Sequence, residues 1–382
     1  METEQMLLNM GPVHPSTHGV LRFKLMMDGE IIKDCKIVLG YLHRGTEKLG
    51  EMKTYVQFVP YTDRLDYISA MPNNYAYVKA VEELASIEVP LRAEYIRVLC
   101  MELNRIVNHI VFMGSLLLDL GASTPIMYGF RERENALALF EMLCGARMTF
   151  NYIKPGGVRE DIPEGFIPKL NEFMKDMEKR IDDYEQLING NEIFKMRMKN
   201  IGIINAEEAI NYGMSGPSLR GSGVDFDIRK VEPYSIYPDI DFKACVYNEC
   251  DSYARYMVRI DEMRESLHIL RQVVDNIPAS KVVSTQTYGT APMTGVPSGV
   301  MSYFPRIFTP PAGEVYSRIE APKGELGFYI ASDGTTKPYR VKIRSPSFCN
   351  LVALPKMVVG LKIPDLIAAF GTIDIVLGDV DR

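Results

Sequence analysis

The sequence predicts an α+β fold in which a core of long helices carries β structure from both ends of the chain. Apolar residues recur at intervals of three and four between about 62 and 275, which is the period of amphipathic helices. Strand-like stretches occupy about 5–40, and further β structure with a final helix occupies about 314–382. The 382 residues contain no internal repeat, so we expect a single domain over 1–382.

The amino-terminal β region is predicted to form a hairpin that turns at Asp28-Gly29, a dipeptide typical of tight turns. The segment "GPVHPSTHG", residues 11–19, leads into this hairpin and contains His14 and His18. Histidines four apart on a helix share one face and can bind zinc, but the two prolines of this segment exclude a helix and no HExxH glutamate is present. The pattern therefore disfavours a metal site at the two histidines.

The helical core is predicted as five helices, separated by Pro90 and by the break between 121 and 125. Their ranges are 76–87, 91–121, 132–148, 166–189 and 251–277. The second, at about 30 residues, is long enough to run through a whole domain.

The carboxyl-terminal part is predicted as three strands, "GEVYSRI", "GELGFYIASDG" and "PYRVKIRSP", and a last helix near 355–370. Two segments rich in glycine and proline, 213–247 and 278–314, are expected to be irregular and to face partner proteins.

The composition excludes several classes of protein. A formal net charge of −6 is wrong for a nucleic-acid-binding protein, which would be basic. The six cysteines contain no CxxC pair, which disfavours both a zinc site and a disulfide framework. The start lacks the features of a signal peptide, and the most apolar stretch, "IVFMGSLLLDLGA", is too short to cross a bilayer, so we expect a cytosolic protein.

The residues alone leave the chemistry open. The run "GPSLRGSG", 216–223, resembles a phosphate-binding loop but lacks the Lys-Ser/Thr ending, and we expect a partner-facing turn. No dinucleotide-binding fingerprint is present, which predicts that the chain binds neither nicotinamide nor flavin. Asp119 stands among apolar residues, either with a buried partner or as a helix end near solvent, and Tyr67 is consistent with a core aromatic.

Several long motifs resemble one known family throughout the chain from about residue 9 to 382. They are "GPVHPSTHGVLRF", "GYLHRGTEK", "YTDRLDYISA", "LLLDLGASTPIMYGFRERE", "NYIKPGGV", "GELGFYIASDG", "PYRVKIRSPSF" and "GDVDR". The sequence is similar to the quinone-site subunit (49 kDa type) of respiratory complex I, the NADH:quinone oxidoreductase of bacteria. The resemblance is specific because so many motifs agree in order.

That family resembles the large subunit of nickel-iron hydrogenases, which implies a hydrogenase-like fold here. The hydrogenase metal motifs correspond to "RLDYIS" and "DIVLGDVDR" in this chain. The residues at the ligand positions are Asp66, Ser69, Val376, Asp379 and Arg382. Because the cysteine ligands are missing, the resemblance implies that the chain binds no metal and that the former metal pocket holds quinone.

The resemblance also implies the roles of individual residues. His18 and Tyr67 would hydrogen-bond the two carbonyls of the quinone, which needs proton donors as it gains electrons. Asp119 would pair with His18 and couple quinone chemistry to the membrane arm, while His14 is expected to be structural.

Arg44 corresponds to an arginine close to the iron-sulfur cluster of the neighbouring small subunit, and His43 beside it is expected to be structural. Thr149 stands where some relatives have a histidine near that cluster, which puts any pH dependence of the cluster potential that rests on this histidine in doubt.

These resemblances imply an enzyme subunit that is inactive alone and takes electrons from a cluster in a neighbour. Its implied partners are the iron-sulfur small subunit, other peripheral-arm subunits and the quinone-channel subunit of the membrane arm, on the cytoplasmic side of the inner membrane. Two alternatives remain: a hydrogenase-type metal subunit, which the missing cysteines oppose, and a scaffold subunit of a related oxidoreductase. The sequence identifies neither the quinone nor the electron donor, and NADH is implied by the family alone.

Overall fold

The computed structural model describes residues 5–12, 19–279 and 308–382. The described chain is mostly helical, with small antiparallel sheets in its amino-terminal and carboxyl-terminal parts, which confirms the predicted α+β class. His14, His18 and most of the predicted 278–314 loop lie outside the described residues.

The strands form three small sheets among the described residues, and each sheet is antiparallel. The strands are β1 Gln5–Met10, β2 Arg22–Asp28, β3 Ile31–Val38, β4 Ile153–Lys154, β5 Gly157–Val158, β6 Gly313–Ala321, β7 Gly324–Ser332 and β8 Arg340–Arg344. The hairpin of β2 and β3 turns at the predicted Asp28-Gly29, with Gly29 at φ +59°.

The helices of the described chain are α1 Thr46–Met52, α2 Tyr55–Thr62, α3 Ala70–Ala85, α4 Leu91–Asp119, α5 Thr124–Cys144, α6 Phe166–Asn189, α7 Glu192–Met198, α8 Ala206–Asn211, α9 Gly216–Arg220, α10 Ile228–Val231, α11 Ser252–Asn276, α12 Pro346–Val352, α13 Leu354–Val358, α14 Ile363–Gly371 and α15 Leu377–Val380. A short 3₁₀ helix spans Tyr237–Asp239. No helix of the described residues is long and apolar enough to cross a membrane.

The long helices are present as the periodicity predicts, although α3 and α5 begin six and eight residues before the predicted 76 and 132, and several short elements were not predicted. The sequence gives no sign of α1 and α2, since their few residues hold at most two turns of any apolar pattern. The predicted last helix is two helices, α13 and α14, because Gly360 takes a left-handed φ of +90° and its N–H donates to Ile32 O at 2.8 Å.

The segment 216–223 does not face a partner, so that prediction is wrong for most of its length. Residues 216–222 are buried, and the first five form α9. Arg220 lies in the interior, where its guanidinium pairs with Glu262 Oε1 at 2.5 Å and with Glu320 Oε1 at 2.8 Å. A buried guanidinium with two carboxylate partners belongs to the core rather than to a docking loop.

Two apolar cores stabilise the described chain. The larger lies among α3, α4, α5, α6 and α11 and extends to the β6–β7–β8 sheet. The smaller lies between the β1–β2–β3 sheet and the helices α13 and α14. The middle of helix α4 packs into the described chain on all its sides, so that this part of the helix is buried all round.

The turn between β6 and β7 packs backbone to backbone against the start of α9. A Cβ added to Gly216 would lie 2.3 Å from Gly324 Cα, and one added to Gly324 would lie 2.5 Å from Ser215 Oγ. Both glycines have positive φ, at +65° and +130°. Only residues without a side chain allow this approach.

We therefore expect Gly324→Ala to destabilise the subunit by about 3 kcal/mol, through backbone strain and overlap together. Gly29→Ala is the matched control, because it also has positive φ but no atom within 4 Å of the added Cβ. It should lower stability by only about 1 kcal/mol. The thermal unfolding midpoint of the purified complex measures both, and equal shifts would contradict the close packing.

Candidate functional site

Tyr67 lies in the connection between α2 and α3, and its side chain is 49% exposed. Buried polar side chains make hydrogen bonds to the backbone of the residues that follow it. Asp66 Oδ1 accepts hydrogen bonds from Ile68 N at 3.1 Å and Ser69 N at 3.3 Å. Asn104 of α4 donates to Ile68 O at 2.7 Å. The tyrosine therefore presents its phenol to solvent from a backbone that is tightly held, and it is not a core aromatic.

Asp66 also belongs to a buried charged cluster. Lys323, in the turn between β6 and β7, places Nζ 3.0 Å from Asp66 Oδ2 and 3.8 Å from Asp374 Oδ2. Asn108 of α4 accepts a hydrogen bond from the same ammonium and donates to Asp374 Oδ2 at 3.0 Å. Because Lys323 is only 1% exposed, its charge is compensated by these groups and not by water.

Asp379 is a further buried carboxyl near this cluster. Burial raises its pKa above the usual range, while hydrogen bonds from Ser345 and Ser347 oppose that change. The Asp379 charge in turn helps to raise the pKa of Lys323. Four of the five residues for which the resemblance implied ligand positions are buried: Asp66, Ser69, Val376 and Asp379. Arg382 is less buried and pairs with Glu47 at 3.3 Å.

The carboxyl-terminal segment also holds the loop that carries Arg44. Asp381 accepts hydrogen bonds from Gly40 N at 2.9 Å and Leu42 N at 2.8 Å. His43 Nδ1 lies 2.6 Å from the carbonyl oxygen of Asp381, a contact that supports a structural role for this histidine. The end of the chain therefore fixes the loop through its backbone.

Arg44 itself extends toward the Tyr67 loop. Its guanidinium donates to Arg64 O at 2.8 Å and to Gly378 O at 3.3 Å. The rest of the side chain is exposed, so that a fixed positive charge stands at the surface beside the loop. A charge held in this way acts on a neighbouring group with little reorganisation.

Consecutive residues of the same carboxyl-terminal segment contact two distant parts of the chain. A Cβ added to Gly19 would lie 2.8 Å from Leu377 Cδ1. A Cβ added to Gly378 would lie 2.7 Å from Leu65 O and 3.0 Å from Arg64 O. The structure therefore brings the residue after "HPSTH" and the "RLDY" segment to one place.

Asp119 is the last residue of α4 and is half-buried. It lies at a helix end but is not fully exposed, so both sequence interpretations stay open. Along a helix that rises 1.5 Å per residue, it lies about 22 Å from Asn104, the residue through which α4 holds the Tyr67 loop. Thr149 is a separate feature at φ +54°, where its hydroxyl donates to Met148 O at 2.7 Å.

The sequence analysis missed three residues of this site: Asn104, Asn108 and Lys323. The two asparagines had a visible signal, because they stand four apart on one face of a long helix. Lys323 had none, since a lysine between proline and glycine is typical of an exposed turn. Among the described residues, no three His, Cys, Asp or Glu side chains are arranged as ligands of a metal ion.

The comparisons with known proteins agree on one family. Residues 119–382 match the model of the family described as respiratory-chain NADH dehydrogenase, 49 Kd subunit. The chain is 52% identical over 383 residues to the D-type subunit of NADH-quinone oxidoreductase from Dehalococcoides mccartyi, covering all of both chains. It is 50% identical over 382 residues to the same subunit from Clostridium beijerinckii, covering all of this chain and 98% of the relative. A relative of the same name from Bacillus mycoides is 50% identical over 381 residues, again covering both chains completely.

The hold of Asp381 on the Arg44 loop can be tested by hydrogen exchange. Asp381→Ala leaves two backbone N–H groups without acceptors, and we expect the amides of Gly40 and Leu42 to exchange about tenfold faster. Asp34→Ala is the control, since Asp34 is exposed and its ion pair with Lys36 is long, at 3.8 Å. Unchanged exchange at Gly40 and Leu42 in Asp381→Ala would show that other contacts hold the loop.

Proposed function

The chain belongs to the 49 kDa subunit family of respiratory NADH dehydrogenases, the D-type subunits of NADH-quinone oxidoreductase, and we propose that it forms the quinone-reduction site of that complex. The observation that carries the proposal is the contact of Leu377 and Gly378 with two distant segments. Gly19 directly follows His18 in the sequence. This contact supports the proposal that His18 and Tyr67 flank one quinone.

The chemistry of the two residues suits this role. Reduction of a quinone to a quinol takes up two electrons and two protons, and each carbonyl oxygen gains negative charge as it is reduced. A phenol and an imidazole can each donate a hydrogen bond to such an oxygen and then release a proton. The exposure of Tyr67 on a firmly held loop supports its part in this pair.

Arg44 fits a position beside the electron donor. Its guanidinium is oriented by two backbone carbonyls and remains exposed, which leaves it free to face a neighbouring subunit. A fixed cation favours the reduced state of a nearby iron-sulfur cluster. We place that cluster in the small subunit of the complex and the quinone between it and Tyr67.

The remaining partners follow from the same proposal. The subunit would contact the iron-sulfur small subunit, other peripheral-arm subunits and the quinone-channel subunit of the membrane arm. In this arrangement it lies on the cytoplasmic side of the inner membrane, and the quinone enters from the bilayer. Asp119 would pair with His18 and respond to its loss of a proton, which transmits quinone reduction toward the membrane arm.

The central test is Tyr67→Phe in the assembled complex. Loss of the phenol oxygen removes one proton donor, and we expect NADH:quinone turnover to fall about a hundredfold. Electron transfer to an artificial acceptor that does not need the quinone site should remain normal. Tyr339→Phe is the matched control because this tyrosine is 73% exposed and lies outside the site. Normal quinone turnover in Tyr67→Phe would favour a scaffold role for the chain.

The coupling role of Asp119 needs a second measurement. Asp119→Asn removes the negative charge that would pair with His18, so we expect slower quinone reduction and less proton transport by the complex in vesicles. Asp183→Asn is the control, since Asp183 is exposed on α6 and, among the described residues, pairs only with Arg180 at 3.1 Å. If Asp119→Asn kept both quinone reduction and proton transport at the normal level, Asp119 would have no part in coupling.

A further inference from the structure

We propose that Lys323 is a positioning residue for quinone reduction, which fixes the place of the Tyr67 phenol by holding the carboxylate of Asp66. The inference rests on the proposed role of Tyr67 at the quinone. It concerns a side chain that lies far away in sequence and is buried beneath the site.

The Tyr67 side chain does not hold itself in place. Within the described residues, its hydroxyl has no hydrogen-bond partner, and half of the side chain is exposed. Its position therefore depends on the course of its own backbone.

Asp66 determines the path of the backbone at Tyr67. Its carboxylate accepts from the N–H groups of Ile68 and Ser69, and its carbonyl oxygen accepts from Asn73 Nδ2 at 3.0 Å. One carboxylate thus closes the turn that presents Tyr67. Any movement of Asp66 moves the phenol as well.

Asp66 in turn needs the ammonium of Lys323. Asp66 is 4% exposed and shares its surroundings with the buried carboxyl of Asp379 and the partly buried carboxyl of Asp374. Lys323 Nζ lies 3.0 Å from Asp66 and 3.8 Å from Asp374, as the cation between them. Without it, buried like charges would face each other, and the turn would have to open to reach water.

The backbone at Lys323 is held firmly by its neighbours. Its carbonyl oxygen accepts a hydrogen bond from Asn350 Nδ2 at 3.0 Å. The next residue, Gly324, is packed against Ser215 so closely that no side chain fits. The ammonium is thus anchored to the β6–β7 hairpin and cannot follow a moving loop. A displacement of about 1 Å at a reacting group can slow catalysis about a hundredfold.

The experiment compares Lys323→Met, Tyr67→Phe and the double variant in the assembled complex. Methionine keeps the length of the side chain but removes its charge. We expect Lys323→Met to lower quinone turnover at least about tenfold, with normal electron transfer to the artificial acceptor. In the Tyr67→Phe background the same change should lower turnover by less than about twofold, because its effect passes through the phenol. Lys342→Met is the control, since Lys342 is exposed on β8.

A second variant keeps the test valid if Lys323→Met does not assemble. Asp66→Asn retains an acceptor for Ile68 and Ser69 but removes the ion pair. Asp66→Asn should also have little effect in the Tyr67→Phe background. Where Lys323→Met does assemble, the double variant of Asp66→Asn and Lys323→Met should have at least about threefold higher quinone turnover than Lys323→Met alone.

The outcomes separate the two proposals. Independent, multiplicative losses in the double variant, or normal turnover in Lys323→Met, would overturn the positioning role and leave the role of Tyr67 intact. Normal turnover in Tyr67→Phe would overturn the proposed function and this inference with it.

Discussion

The pairing of buried charges along α4 is the constraint on which the rest of the structure depends. Four charged or titratable side chains of this helix are at most 1% exposed: Arg97, Glu102, Arg105 and His109. Each requires an opposite charge or a hydrogen-bond partner from another element. Glu102 meets Arg229 at 3.1 Å and Ser266 of α11 at 2.7 Å, and Arg105 and Arg229 lower its pKa to about 2, against the effect of burial. The partners therefore fix how the surrounding elements sit on α4, and α4 in turn holds the Tyr67 loop.

The sequence predicted the long elements of the described chain well because their signals are local. The period of apolar residues and Pro90 placed the second predicted helix at 91–121, where the structure has Leu91–Asp119. The Asp28-Gly29 turn was equally local. The failure at 216–223 has a physical reason: burial of Arg220 depends on carboxylates 42 and 100 residues away in the chain, which no local pattern shows. The prediction of a single domain remains a prediction.

The site was predictable only in part for a similar reason. Resemblance pointed to Tyr67 and Arg44, and the structure places Arg44 against the carbonyl of Arg64 beside the Tyr67 loop. Lys323 could not be found, because its burial follows from the folding of a hairpin turn onto a loop more than 250 residues earlier. His18 lies outside the described residues, so its pairing with Asp119 and its place at the quinone stay predictions.

The Lys323 cluster has a simple electrostatic meaning. Asp66 and Asp379 are buried carboxyls, and Asp374 Oδ2 lies 3.8 Å from the Lys323 ammonium. Anions gathered in a buried place repel one another unless a cation lies among them. Lys323 supplies that cation as an ammonium. A single fixed charge then serves a second purpose, since the carboxylate that it holds is the one that shapes the loop of Tyr67.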